Sequence, residues 1–209
     1  MKNLLLAASS LLMAGIVGAQ EVPRFTFNVG GGFTQTVGGT SRRLDSTGYN
    51  LGAGAGVNLH PNLSLLLDFN YNGLGVNQAT LSTLGFPDGN VRLWSLTLNP
   101  VVHINRSGPV SVYFIGGGGL YQRTQEFTQP AIATVTAYDP FFGFGSFGVP
   151  VNQVLSSYTV NKPGVNGGMG LNFGTKWSAK FYAEARYHRM FLSGDRHMDF
   201  IPVTFGLRW

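Results

Sequence analysis

The sequence predicts an all-β fold, an eight-stranded antiparallel up-and-down transmembrane β-barrel, and three observations carry that prediction. From Arg24 to the end of the chain, apolar and small polar residues alternate with period two, which puts successive side chains on opposite faces of extended strands. The connections between those strands are short and long in turn. The polar faces consist of Gly, Asn, Thr and Ser with an occasional charge, too uncharged for the water-facing exterior of a soluble barrel but suited to a narrow lumen.

The first strand sets Phe25, Phe27, Val29, Gly31 and Phe33 against Thr26, Asn28, Gly30 and Gly32. The second sets Tyr49, Leu51, Ala53, Ala55, Val57 and Leu59 against Gly48, Asn50, Gly52, Gly54, Gly56 and Asn58. His60-Pro61-Asn62 makes a tight turn into the third, with Leu63, Leu65, Leu67, Phe69 and Tyr71 opposite Ser64, Leu66, Asp68 and Asn70. A fourth strand, from about Val91 to Ile104, contains Pro100, which cannot donate to the ladder and predicts a bulge or a local gap in pairing. The fifth, Val110 to about Tyr121, carries Gly116 to Gly119 and leaves its outward face open. The sixth presents Val165, Gly167, Met169, Leu171 and Phe173, and the seventh Phe181, Ala183, Ala185 and Tyr187 against Tyr182, Glu184, Arg186 and His188. The eighth sets Ile201, Val203, Phe205, Leu207 and Trp209 against Pro202, Thr204, Gly206 and Arg208.

Short links at 60–62, 105–109 and 174–178 alternate with longer ones near 34–47, 73–90, 122–160 and 192–199, as short periplasmic turns alternate with longer extracellular loops in a membrane barrel. The segment 122–160 is the longest loop and can extend its strands beyond the membrane. Threading the strands up and down places Tyr49, Tyr71, Trp94 and Tyr187 near one rim and Phe25, Phe173, Phe181 and Trp209 near the other, two aromatic girdles.

Composition agrees. Charged residues are 11% of the 209, against about 25% in an ordinary soluble domain, while glycine (30) and aromatic residues (13%) run high. The chain has no cysteine, which leaves no disulfide framework, thiolate zinc site, cysteine nucleophile or lipoprotein anchor. Residues 1–19 read as a signal peptide, with Lys2, an apolar stretch from Leu4 to Val17 and Val17-Gly18-Ala19 before a cleavage site, so the expected barrel is 20–209. The apolar stretch is too short for a spanning helix, which needs roughly 20 residues. The positive balance, 14 Lys and Arg against nine Asp and Glu, has no clustered basic run and does not call for nucleic acid; a basic rim facing anionic lipid headgroups suits it better.

Candidate chemistry is sparse. Glu184, Arg186 and His188 share one face of the seventh strand, but at about 3.4 Å per residue Glu184 and His188 are near 13 Å apart, too far for a catalytic dyad. A tight last hairpin would bring Arg208 opposite or diagonal to Glu184, and Asp68, Glu184, Arg186 and Arg208 are expected to form a lumen ion network, since buried charges must be paired. The glycine runs are followed by no helix and fail as phosphate cradles. His60, His103, His188 and His197 lack metal-ligand spacing, so neither metal nor cofactor is expected. Tyr138, Phe141, Phe142, Phe144 and Phe147 cluster within the long loop and offer either a ligand or partner surface or a loop that packs on itself or caps the barrel mouth.

The ending Phe205-Gly206-Leu207-Arg208-Trp209 resembles the terminal strand of outer-membrane barrels, and the mature chain as a whole is similar in pattern to the small OmpA-type, OmpX-type and OmpW-type barrels and the opacity-type surface antigens. The resemblance implies export to the outer membrane of a Gram-negative cell. It also implies periplasmic chaperones, insertion by the barrel assembly machinery reading Phe205, Leu207 and Trp209, and contact with outer-membrane lipid and lipopolysaccharide. With the chain ending at Trp209, a barrel without a peptidoglycan-binding domain is expected. The expected role is structural or interactive at the cell surface, as a monomer and without catalysis; the alternative is a narrow OmpW-like passive channel for small apolar solutes.

Overall fold

The computed structural model describes residues 24–39, 44, 47–104, 109–174, 179–194 and 196–209. The expected signal peptide at 1–19 and the short links at 105–108 and 175–178 lie outside them. Eight antiparallel strands close a barrel in sequence order: β1 (Phe25–Thr36), β2 (Thr47–His60), β3 (Leu63–Gly75), β4 (Asp88–His103), β5 (Val110–Asp139), β6 (Gly143–Phe173), β7 (Lys180–Phe191) and β8 (His197–Arg208). Closure is made by β1 against β8, where Phe33 faces Val203 and Val29 faces Leu207. The amide and carbonyl of Trp209 extend that seam to Phe27 at 2.8 and 3.1 Å. Closing the ring removes the sheet edges that an open barrel would leave unpaired in lipid.

The faces fall as alternation predicts, apolar outward and polar inward. Phe25, Phe27, Val29, Leu51, Leu67, Phe69, Leu96 and Leu98 point out, while Thr26, Asn28, Asn50, Asp68, Ser95, Thr97 and Asn99 are buried in the lumen. The outer aromatic belt contains Tyr49 beside Tyr71 (ring centroids 6.1 Å apart) and Phe69 beside Trp94 (6.2 Å). The open question of β5 is settled: Val110, Phe114 and Leu120 face out, and Tyr113, Ile115 and Tyr121 face in. Pro100 pairs with Leu65 on β3, whereas on the β5 side the ladder lapses between Leu98↔Gly118 and Val101↔Ile115, a gap with no register shift. Pro202 produces the same lapse between β7 and β8, where pairing stops at Ala185↔Val203 and resumes at His188↔Phe200.

The strands extend through 122–160 as its length allowed, a short helix stands in another connection, and the lumen corrects one expectation. The segment 122–160 is β-sheet for most of its length: β5 and β6 pair continuously to Asp139↔Gly143 around a turn at Pro140–Phe142, with one bulge where Phe127 and Thr128 meet Ser156 and Val154. The loop after β3 holds a seven-residue helix, α1 (Gln78–Leu84), whose Asn77 side chain accepts the Ala79 amide and whose Gly85 ends it at φ 74°. The lumen is not polar throughout. Leu44, Leu74, Val76, Leu81, Val91, Leu93, Tyr121, Met190, Met198 and Phe200 form an apolar cluster at the end of the long connections, and α1 contributes Leu81 to it.

Candidate functional site

The lumen is layered. The middle layer holds the ionisable residues expected to meet, and it does bring them together. Arg186 on β7 places Nη1 at 2.8 Å from Asp68 Oδ2 across the barrel, and its Nε donates to Glu184 two residues back on the same strand. Arg208 on β8 completes the set with Nη2 at 3.5 Å from Glu184 Oε2. Two acids thus meet two guanidinium groups, with 5–9% of each side chain exposed. The layer is neutral as a whole, which is the condition for leaving charge in a site that water scarcely reaches.

The route by which Arg208 arrives differs from the expectation. It lies opposite Lys180, while Thr204 lies opposite Glu184, so the two charges are four residues out of register rather than opposite or diagonal. The Arg208 side chain spans the offset between two tyrosines, its guanidinium carbon 4.5 Å from the Tyr113 ring centre and 4.8 Å from that of Tyr182. Glycine makes the room. A methyl group at Gly206 would come within 2.8 Å of the Tyr182 ring, and one at Gly170 would collide with the Tyr113 ring and hydroxyl.

Sequence reasoning missed the neutral partners. Tyr113 donates its hydroxyl to Glu184 Oε2 at 2.8 Å, Asn99 donates to Asp68 Oδ2 at 3.0 Å, and Asn28 donates to Asp68 Oδ1 at 3.3 Å. Asn166 extends the chain by donating to Asn99 Oδ1 at 2.9 Å. The signal for Tyr113 was its pairing with Gly170, a large side chain facing a missing one, but that pairing needs the β5–β6 register to be seen. Above the ions, His188 marks the border with the apolar cluster: its Nδ1 is 2.9 Å from the Tyr121 hydroxyl and its ring stacks on Phe200 at 5.0 Å. On the other side, a cavity of about 140 Å³ opens among Thr26, Ser64, His103, Lys180 and Trp209. Among the described residues there is no group of three His, Cys, Asp or Glu side chains placed to hold a metal ion.

The aromatic cluster lies elsewhere. Beyond Thr128, the last β5 residue paired with β4, the β5–β6 hairpin has no strand neighbour among the described residues. Tyr138 and Phe144 touch near its tip, ring centres 5.2 Å apart, yet they remain 64% and 80% exposed, and Phe141 and Phe142 are 90% exposed. These rings therefore lie exposed at the end of the hairpin, with Tyr138 and Phe144 in contact with each other. The apolar cluster, to which α1 contributes Leu81, lies at the mouth of the barrel.

The sequence pattern of the outer membrane protein β-barrel domain family matches residues 4–209. The chain belongs to that family. Its place in the outer membrane follows, and the outward apolar band is the surface that meets lipid. Among solved structures this outer membrane barrel is similar to Neisserial surface protein A, at 11% identity over 90% of this chain and 98% of that one, with a TM-score of 0.55. It is also similar to a major outer membrane protein of Thermus thermophilus, at 11% identity over 88% and 98%, with a TM-score of 0.51. The attachment invasion locus protein of Yersinia pestis aligns at 16% identity over 90% and 100%, with a TM-score of 0.48. Among curated proteins no sequence matches the chain. Likeness at these identities concerns the fold.

Proposed function

We propose that the protein is a non-conducting outer membrane scaffold whose task is to hold the β5–β6 hairpin out from the cell surface as an interaction element. One contrast carries this reading: the middle of the lumen is crossed by paired charges with packed apolar side chains beyond them, while the hairpin leaves five aromatic residues 60–90% exposed. An eight-stranded barrel is only wide enough to be filled by side chains, so such a lumen leaves the surface as the place where function resides. Export by cleavage after Ala19 and insertion through recognition of Phe205, Leu207 and Trp209 belong to the same proposal, as does a monomeric barrel in contact with lipopolysaccharide. No catalytic role is proposed.

The channel reading has one observation in its favour, an extracellular cavity of about 860 Å³ bordered by Leu44, Val160, Leu192 and Met198 beside Arg123 and Lys162. A solute entering there meets the apolar cluster and then the ion layer. Planar-bilayer recordings on purified protein decide between the two: no sustained current is expected, and stable conductance steps would overturn the scaffold. In parallel, cells carrying the barrel with residues 130–152 replaced by a short turn should lose attachment to surfaces that wild-type cells hold. Equal attachment would remove the hairpin from the function.

A further inference from the structure

The composition of the projecting hairpin narrows what it can meet. Residues 129–157 contain no Lys, Arg or His and a single carboxylate, Asp139. That carboxylate serves the turn itself, with Oδ1 accepting the amides of Phe141 at 2.8 Å and Phe142 at 3.1 Å. Asp139-Pro140 opens the turn, and Gly143 closes it at φ 78°, a conformation an L side chain rarely adopts. The result is a turn whose one charge is used internally and which leaves Phe141, Phe142 and Phe144 exposed to solvent, three rings with no polar atom. Tyr138 beside Phe144 supplies the one phenolic hydroxyl.

We propose that this tip inserts into the headgroup and outer acyl region of a phospholipid bilayer apposed to the cell; the proposal rests on the hairpin being the interaction element. Aromatic residues favour that interfacial depth, and an uncharged tip loses little solvation on entering it. The tip stands roughly 36 Å beyond the rung at Thr128, taking eleven residues at about 3.3 Å each, which carries it away from the barrel's own leaflet. Lipopolysaccharide on that leaflet presents phosphates and sugars, which call for cations and hydrogen-bond donors; the tip offers no cation, and its donors are the Tyr138 hydroxyl and, behind it, the Thr136 and Ser146 hydroxyls, which lie 3.3 Å apart and bond each other. Only the end of the hairpin can enter. Farther down, the outer edges of both strands carry backbone groups without a strand partner, which a hydrocarbon interior would penalise by several kcal/mol each. Addition of a second copy along those edges is opposed by Pro130 and Pro150, one on each strand, the residue that native edges use against strand addition.

The test uses the full barrel in lipid nanodiscs mixed with vesicles of phosphatidylcholine, followed by flotation. Wild-type protein should float with the vesicles, equally with or without added anionic lipid and equally at low and high salt, because no charge takes part. Phe141→Ser/Phe142→Ser/Phe144→Ser should lower the bound fraction about tenfold or more, since the favourable transfer of three rings is lost. An unchanged shift in gel mobility between boiled and unboiled samples would certify that this variant still folds. In Phe142→Trp, brominated acyl chains should quench the indole emission on vesicle binding. Wild-type protein that stays at the bottom of the gradient, a triple variant that floats normally, or an unquenched indole would each overturn lipid insertion. If hairpin removal abolishes cell attachment while flotation is negative, the hairpin remains the interaction element and its partner is a protein. Self-association of nanodiscs without flotation would name a second copy instead.

Discussion

The same two strands, β5 and β6, make both a part of the barrel and the whole of the projecting hairpin, and the two stretches treat their side chains in opposite ways. Between Val110 and Tyr121 one face of β5 is buried and the other faces outward, so Tyr113 at 0% exposure follows Val110 at 40%. Beyond Pro130 both faces are exposed, with Ile132 at 80% on one and Val135 at 49% on the other. The β5–β6 ladder runs through both, but in the barrel the outer edges of the two strands also pair, with β4 and with β7. What differs is what surrounds the sheet. A closed ring fixes a dry interior that must be matched atom by atom, while a free hairpin has only its ladder to satisfy. The barrel should therefore be intolerant of added volume and the hairpin indifferent to it.

The sharpest break of that comparison places one substitution in each region. Gly170→Val pushes a branched side chain into the Tyr113 ring and with it the Glu184 hydrogen bond, whereas at Gly148 the nearest atom is a methyl of Ile132 at 3.0 Å, on an exposed side chain that can turn away. We expect Gly170→Val to yield almost no protein with the gel mobility of a folded barrel and Gly148→Val to yield the wild-type amount. Equal yields would show that the lumen adapts as freely as the hairpin.

The two regions also differ in how they could be read from the amino-acid sequence. Period two exposed the barrel faces because lipid and lumen make opposite demands, and Pro100 announced its pairing gap through the missing amide. The hairpin carried no such record: apolar residues occupy both faces, and Pro130, Pro150, Gly143, Gly145 and Gly148 look like loop punctuation. Of the ion layer, Asp68, Glu184, Arg186 and Arg208 were legible as buried charges needing partners. Tyr113 was not, because Gly116–Gly119 hid which face of β5 turns inward. The register of Arg208 was misplaced because the β7–β8 turn sets Phe191 opposite His197, and no residue type in it specifies that count. α1 spans only seven residues, too few to establish a helical period.

A smaller effect is expected where the ring closes. Trp209 is 44% exposed, much less than the 90% of Phe142, and its backbone is tied to Phe27. Deleting Trp209 removes two backbone hydrogen bonds from the closing seam together with an interfacial ring. Most of that variant should accumulate in the periplasm and be degraded, while Trp209→Phe keeps the bonds and a ring and should reach the outer membrane normally. Membrane fractionation reads the difference. Phe142→Ser should leave fractionation unchanged, and a loss of membrane-located protein in that variant would mean that the hairpin takes part in assembly.

The finest contrast concerns the two regions' carboxylates. Glu184→Ala leaves the lumen with Arg186 and Arg208 against Asp68 alone, an uncompensated buried charge of the kind that typically costs about 3–5 kcal/mol. Adding Arg208→Ala restores neutrality and leaves the 2.8 Å Arg186–Asp68 pair intact, so the double variant should be more stable than the single one although it has lost more contacts. Strict additivity in a urea folding titration would show that Arg208 and Glu184 do not sense each other across their 3.5 Å separation. At the tip, Asp139→Asn removes the charge but keeps an oxygen able to accept the Phe141 and Phe142 amides. Its stability should match wild type within about 0.5 kcal/mol, the scatter of surface substitutions. Asp139→Ala, which leaves both amides to water, should loosen the turn without unfolding the barrel, and faster proteolytic nicking at 139–143 in an otherwise intact protein is the expected sign.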